Sequence, residues 1–108
     1  MNSAEELSET FKFGEIIEYS PGSVVSKTII KKPSGTITLF SFDKGEGLSE
    51  HKAPFDALVQ IIEGEAEIIL NGKINTVKAG SALILPADIP HALKANEKFK
   101  MLLTMIRN

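Results

Sequence analysis

The sequence predicts an all-β protein folded as a sandwich or a jelly-roll barrel, and three observations carry that reading. Past the N-terminus nearly every apolar stretch alternates with a period of two, as half-buried strands do. The stretches are short, rich in β-branched and aromatic residues, and separated by clusters of Gly, Pro and Ser. Between two of them stands Asn71-Gly72, a pair suited to the positive φ angles of a type I′ hairpin turn.

The elements follow in chain order. Ser3 to Glu9 reads as one short helix, with Ser3 as N-cap and Glu6 placed for a capping box. "IIEY" (16–19) is then expected as a first strand, followed by the turn "SPGS", the strand "VVSKTII", the turn "KKPSG" and the strand "TITLFSF". "DKGEGLSEHKAPFD" (43–56) is irregular, and such segments often line sites. "ALVQIIE" and "EAEIIL" are strands expected to form a hairpin around Gly64. "KINTV", "ALILP" and "HALKA" are separated by the turns "KAGS" and "PADIP", and "FKMLLTMI" reads as a final buried strand. At 108 residues the chain is expected to be one domain, with 1–20 as N-terminal extension and first strand and 24–106 as the barrel.

Composition excludes several functions. The net charge of −2 comes with scattered lysines, so neither a nucleic-acid nor an anionic-membrane footprint is present. The most basic piece, "KTIIKKPSG", reads as a strand end and a solvated turn. The absence of cysteine removes disulfides, thiolate metal sites and cysteine nucleophiles. "MNSAEELSETFKF" has neither the basic nor the apolar region of a signal peptide, and the apolar runs are too short to span a bilayer. A cytoplasmic location is expected. "GEGLSE" is neither a nucleophile elbow nor a phosphate loop, because no helix follows it.

Two sets of spacings are more specific. Gly45, His51 and Gly64 stand in register with the first of the two cupin motifs, and Gly80, Pro86 and His91 with the second. Both occur in order, separated by the Asn-Gly turn, and the resemblance extends from about Val24 to Ile106. The chain thus resembles a small cupin. This implies a cupin-type double-stranded β-helix (jelly-roll) barrel of the RmlC-like kind, carrying a short N-terminal helix or extension and often dimeric. In the family two histidines and a glutamate of the first motif join the histidine of the second to bind a divalent metal. Carried over by position, the resemblance gives His51 and His91 as ligands, with Ala53 and Ala57 where the other histidine and the glutamate would stand. Asp88 and Ala95 replace the glycine and asparagine of the second motif.

Strand alternation opposes replacement ligands. If His51, Ala53 and Ala57 face inward, then Glu50, Asp56 and Gln60 face outward. The set is therefore incomplete for iron, manganese, nickel or zinc, each of which wants about three protein ligands. The two alanines instead leave an apolar, roomier wall suited to a small organic ligand. The expected pocket is His51, Ala53, Phe55, Ala57, Val59 and His91, with inward residues of the last strand beside them: Phe99, Met101, Leu103 and Met105, or the alternate set. His51 and His91 are also the candidate catalytic residues.

In "ALVQIIE", Val59 and Ile61 should face the interior and Leu58 and Ile62 the other side. A strand apolar on both faces is covered on both, and a homodimer would supply the second cover. Function is expected to be small-molecule binding around His51 and His91 with a degraded metal site, as a sensor, a carrier or an enzyme using histidine acid–base chemistry. The alternatives are a metal-dependent enzyme (dioxygenase, isomerase or decarboxylase type) with an unidentified third ligand, and an interaction module without a small-molecule ligand.

Overall fold

The computed structural model describes residues 8–107. The helix expected over Ser3 to Glu9 lies outside them apart from Ser8 and Glu9, which are not helical. Among the described residues one 3-10 turn (Phe13–Glu15) is followed by nine strands: β1 (Val24–Lys32), β2 (Gly35–Phe42), β3 (Gly47–His51), β4 (Asp56–Glu63), β5 (Glu65–Leu70), β6 (Lys73–Lys78), β7 (Ala82–Leu85), β8 (His91–Lys94) and β9 (Phe99–Ile106). They form a five-stranded sheet, β1-β2-β9-β4-β7, facing a four-stranded sheet, β3-β8-β5-β6. Every pairing is antiparallel.

The inner faces of the two sheets close on one apolar core that includes Phe42, Val59, Ile61, Ile68, Phe99 and Met101. Phe42 and Phe99, neighbours across β2 and β9, stack with ring centroids 4.5 Å apart. Val59 and Ile61 face inward as their parity requires, and Ile62 packs on the opposite face.

Besides β3, which forms inside the 43–56 segment expected to be irregular, two sequence expectations need correction. Gly64 does not close a hairpin, because β4 and β5 belong to different sheets and do not pair. One residue cannot fold a ladder back on itself, so Gly64 turns the chain from one sheet to the other. Its φ is +77°, and a Cβ added there would lie 2.5 Å from the Lys98 carbonyl. The Asn71-Gly72 turn does form the expected hairpin, joining β5 to β6 with φ of 50° and 80°.

The second correction concerns "IIEY", which is not a strand. Carbonyls of this segment and of the turn before it accept from side chains of the five-stranded sheet, while the Ile16 N–H stays on the Phe13 carbonyl. Lys27 donates to the Ile16 carbonyl at 2.6 Å, Ser41 to Glu18 at 2.8 Å and Lys100 to Gly14 at 2.6 Å. The segment lies as a strap across the outer face, packing Ile17, with Phe13 and Ile16, on Ile29, Leu39, Leu102 and Ile62. At its end Tyr19 donates to Glu63 at 2.6 Å, and Glu63 also pairs with the buried Lys100 ammonium at 3.6 Å. Burial, reinforced by Glu63, pushes the Tyr19 phenol well above its ordinary value, so it stays a donor. Part of the second apolar face that the sequence assigns to another subunit is thus covered by the chain itself.

The corner yields a prediction. Gly64→Ala combines a left-handed φ with a clash against backbone, so it should destabilise by about 2–4 kcal/mol in urea unfolding, the range of severe backbone and overpacking mutants. A loss below about 0.5 kcal/mol, typical of unconstrained surface sites, would show that the corner tolerates a side chain.

Candidate functional site

His51 ends β3 and His91 begins β8, and the two are direct register partners in the four-stranded sheet. The ladder therefore places them side by side. Their Nε2 atoms lie 3.2 Å apart, with the rings edge to face at 4.4 Å between centroids. His91 is buried and His51 is on the exposed edge strand.

Each ring is oriented by its other nitrogen. His51 Nδ1 lies 2.9 Å from the Ser49 carbonyl, and His91 Nδ1 lies 3.2 Å from the Ile89 carbonyl. A carbonyl only accepts, so both Nδ1 atoms carry the proton in these bonds. The three hydrogen bonds of the pair then require three protons, whereas two neutral imidazoles carry two. In the neutral pair the Nε2 lone pairs face one another, and the arrangement calls for a third proton, a ligand donor or a cation. Burial pushes His91 below the usual histidine range; its bond to Ile89 works the other way, and neighbouring His51 adds to the lowering.

The pair borders a cavity of about 60 Å³ between the sheets. All six residues expected to surround the pocket, His51, Ala53, Phe55, Ala57, Val59 and His91, line this one cavity. Of the last-strand candidates, Met101, Leu103 and Met105 join them, while Phe99 belongs to the core. Leu48, Leu85 and Leu93 complete the wall, so the histidines are its polar end. Sequence reasoning missed these three leucines; their alternation was visible, but only the pairing register shows that they meet. It also missed Arg107, whose guanidinium lies 4.9 Å from the centre of the Phe55 ring.

The residues that replace family positions have clear local roles. Asp88 adopts φ of +63°, so it keeps the left-handed conformation for which glycine is the usual choice, and Asp is among the side chains that tolerate it. Its N–H donates to the Ala53 carbonyl at 2.7 Å, tying the two loops at the cavity. Ala95 is buried and exchanges backbone bonds with the Gly45–Glu46 loop. Asp56 Oδ1 accepts the Ala87 N–H at 2.9 Å, and Glu50, Asp56 and Gln60 are all exposed. Among the described residues no three His, Asp or Glu side chains cluster where a metal would sit. Two imidazole nitrogens alone fall short of the roughly three protein ligands that hold a divalent transition metal, so the donor set does not fit one.

A conserved protein of unknown function from Streptococcus pyogenes has a similar structure, with a TM-score of 0.89 and 34% identity over 94% of this chain and 89% of that one. A cupin 2 conserved barrel domain protein from Leptotrichia buccalis has a TM-score of 0.84 and 46% identity over 87% of this chain, but this chain spans only 46% of it. A curated relative, the polyketide synthase CurC of Streptomyces cyaneus, is 27% identical over 73 residues, and the chain spans about half its length (47%). Residues 38–107 match the Cupin_2 family of cupin domains. The chain belongs to the cupin family.

Proposed function

We propose that this barrel binds a small organic molecule in the cavity between its sheets, with His51 and His91 as the polar contact. The convergence of two Nε2 atoms, each ring tied through Nδ1 to a carbonyl, supports this reading most directly. A ligand that donates one O–H or N–H into the pair supplies the missing hydrogen bond without placing charge on buried His91. The same pair accepts a proton from an acidic ligand, which is the first step of histidine acid–base chemistry. Sensing, carriage and proton-transfer catalysis all begin from that bound state.

The cavity limits the ligand. Its volume of about 60 Å³ is well below the roughly 300–1,000 Å³ of a drug-sized ligand pocket. The class is therefore a compact molecule with one polar head and an apolar body, entering beside Phe55 and Arg107. A metal-dependent enzyme is the second reading. Its support is that carbonyl bonds at Nδ1 are how ligating histidines are oriented, and a third donor would have to come from substrate or solvent.

Three measurements test the site. Thermal shift with hydroxy and carboxylic acids of about three to five carbons should yield a stabilising probe, worth about 2.7 kcal/mol at a hundredfold excess over Kd. The effect should vanish in His51→Ala and His91→Ala. No response from any probe would favour the interaction-module reading.

Metal content of untagged protein should be far below stoichiometric. Near-stoichiometric iron, manganese, nickel or zinc, lost in His91→Ala, would establish the metal-dependent reading instead.

The third test is pH. The folded value of His91 lies below its unfolded value near 6.5, so the unfolded chain binds more protons in mild acid. Stability is then full above about pH 7.5 and falls as pH drops through about 6.5. His91→Gln should flatten that fall in melting temperature; an unchanged slope would contradict the burial-driven shift.

A further inference from the structure

Arg107 stands where the cavity opens, and neither the fold nor the histidine pair uses its charge. The register of β4 and β9 runs through Ala57–Met105 and Asp56–Ile106, so the next cross-strand pair is Phe55–Arg107. Met101, Leu103 and Met105 face the cavity, and Arg107 continues that alternation by one more step. Two observations fit this placement. The Arg107 N–H donates to the Ser34 carbonyl at 2.7 Å, which extends the β2–β9 ladder past Ile106. The guanidinium lies over the ring of Phe55, which itself lines the cavity.

The charge of Arg107 is not neutralised there. Among the described residues the ion pairs are Lys44–Glu97 and Lys100–Glu63, and neither includes Arg107. Asp56, next to Phe55 in sequence, has the opposite strand parity and accepts the Ala87 N–H. A guanidinium over a ring face keeps its N–H donors in its own plane, where they fit a carboxylate two at a time. Arg107 also borders a groove of about 290 Å³ whose other polar residues are Lys32, Ser34, Thr36 and Thr104, with no acidic side chain. Met105 lines both groove and cavity, so the two adjoin. An anion approaching from this side meets cations and hydroxyls.

We propose that Arg107 is the anion-recognising residue of this cavity and that the bound molecule is a short hydroxycarboxylate. Its carboxylate sits on the Arg107 guanidinium at the mouth, and its hydroxyl donates into the Nε2 pair of His51 and His91. The proposal rests on the cavity as the binding site and narrows the ligand to one carrying a negative charge apart from its donor. What each group can accept dictates the orientation. A carboxylate only accepts, so it suits the donors of a guanidinium and gains nothing from two lone pairs; a hydroxyl supplies the donor those lone pairs lack. The histidines belong to the four-stranded sheet and Arg107 to the end of the five-stranded one, so a single small molecule is held from two walls.

Isothermal titration calorimetry on the full chain tests this with matched probes: lactate, 3-hydroxybutyrate and 4-hydroxybutyrate, each beside its neutral primary amide. At least one acid should bind about tenfold tighter than its amide, as a charge-assisted hydrogen bond allows, and added salt should shrink the difference. Arg107→Met should bring that acid down to the affinity of its amide without changing the amide, and Arg107→Lys should keep part of the preference. Melting temperatures check that each variant folds; the bond to Ser34 is made by backbone and survives the change. His91→Ala should weaken acid and amide alike. Equal binding of acid and amide by the native chain, or an Arg107→Met variant that weakens both equally, would overturn the role of Arg107 and leave the cavity reading standing. Acid binding that needs Arg107 but survives His51→Ala and His91→Ala would keep the anion site and overturn the histidine contact. No binding by any probe would overturn both.

Discussion

The parity of β9 is the constraint on which the rest of this molecule depends. It is the central strand of the five-stranded sheet, in register with β2 on one side and β4 on the other. Because alternate residues must face opposite ways, that register sends Met101, Leu103 and Met105 to the cavity and Leu102, Thr104 and Ile106 to the outer face. A slip of one residue would place Thr104 in the cavity wall and expose the methionines. Cavity and strap are therefore two consequences of one pairing.

The strap shows how polar groups were fitted to that outer face. Lys100 faces outward from β9, is almost fully covered, and is satisfied by Gly14 and Glu63. Removing either partner would leave a buried charge poorly compensated, which is far more costly than an exposed ion pair is worth. The side chains of Lys27, Ser41 and Lys100 thus replace a neighbouring strand as hydrogen-bond partners for the segment that crosses them. That substitution explains why a β-branched stretch such as "IIEY" is not part of a sheet.

Much of the fold was legible in sequence because it is written locally. Period-two alternation, the Asn71-Gly72 turn and the spacing of Gly45, His51, Gly64, Gly80, Pro86 and His91 are all short-range signals, and they pointed to the barrel. The strap was not legible, since its partners are distant side chains up to 86 residues away in sequence. Nor was the corner at Gly64, because a glycine between two strands reads alike whether the strands pair or diverge. At the site, the sequence named two histidines and the alanines beside them, but not the three leucines or Arg107. Those depend on which strands face one another across the barrel, and adjacency in sequence carries no such information.

The central claim is that both imidazoles are held by Nδ1–H bonds, leaving two Nε2 atoms to converge on the cavity. Nitrogen-15 NMR of the histidine side chains tests it most directly, because protonated and unprotonated ring nitrogens differ strongly in chemical shift. The account predicts a protonated Nδ1 on both His51 and His91 near neutral pH, with their Nε2 signals changing when a ligand enters. A protonated Nε2 with a bare Nδ1 on both rings, unaffected by any bound molecule, would contradict it.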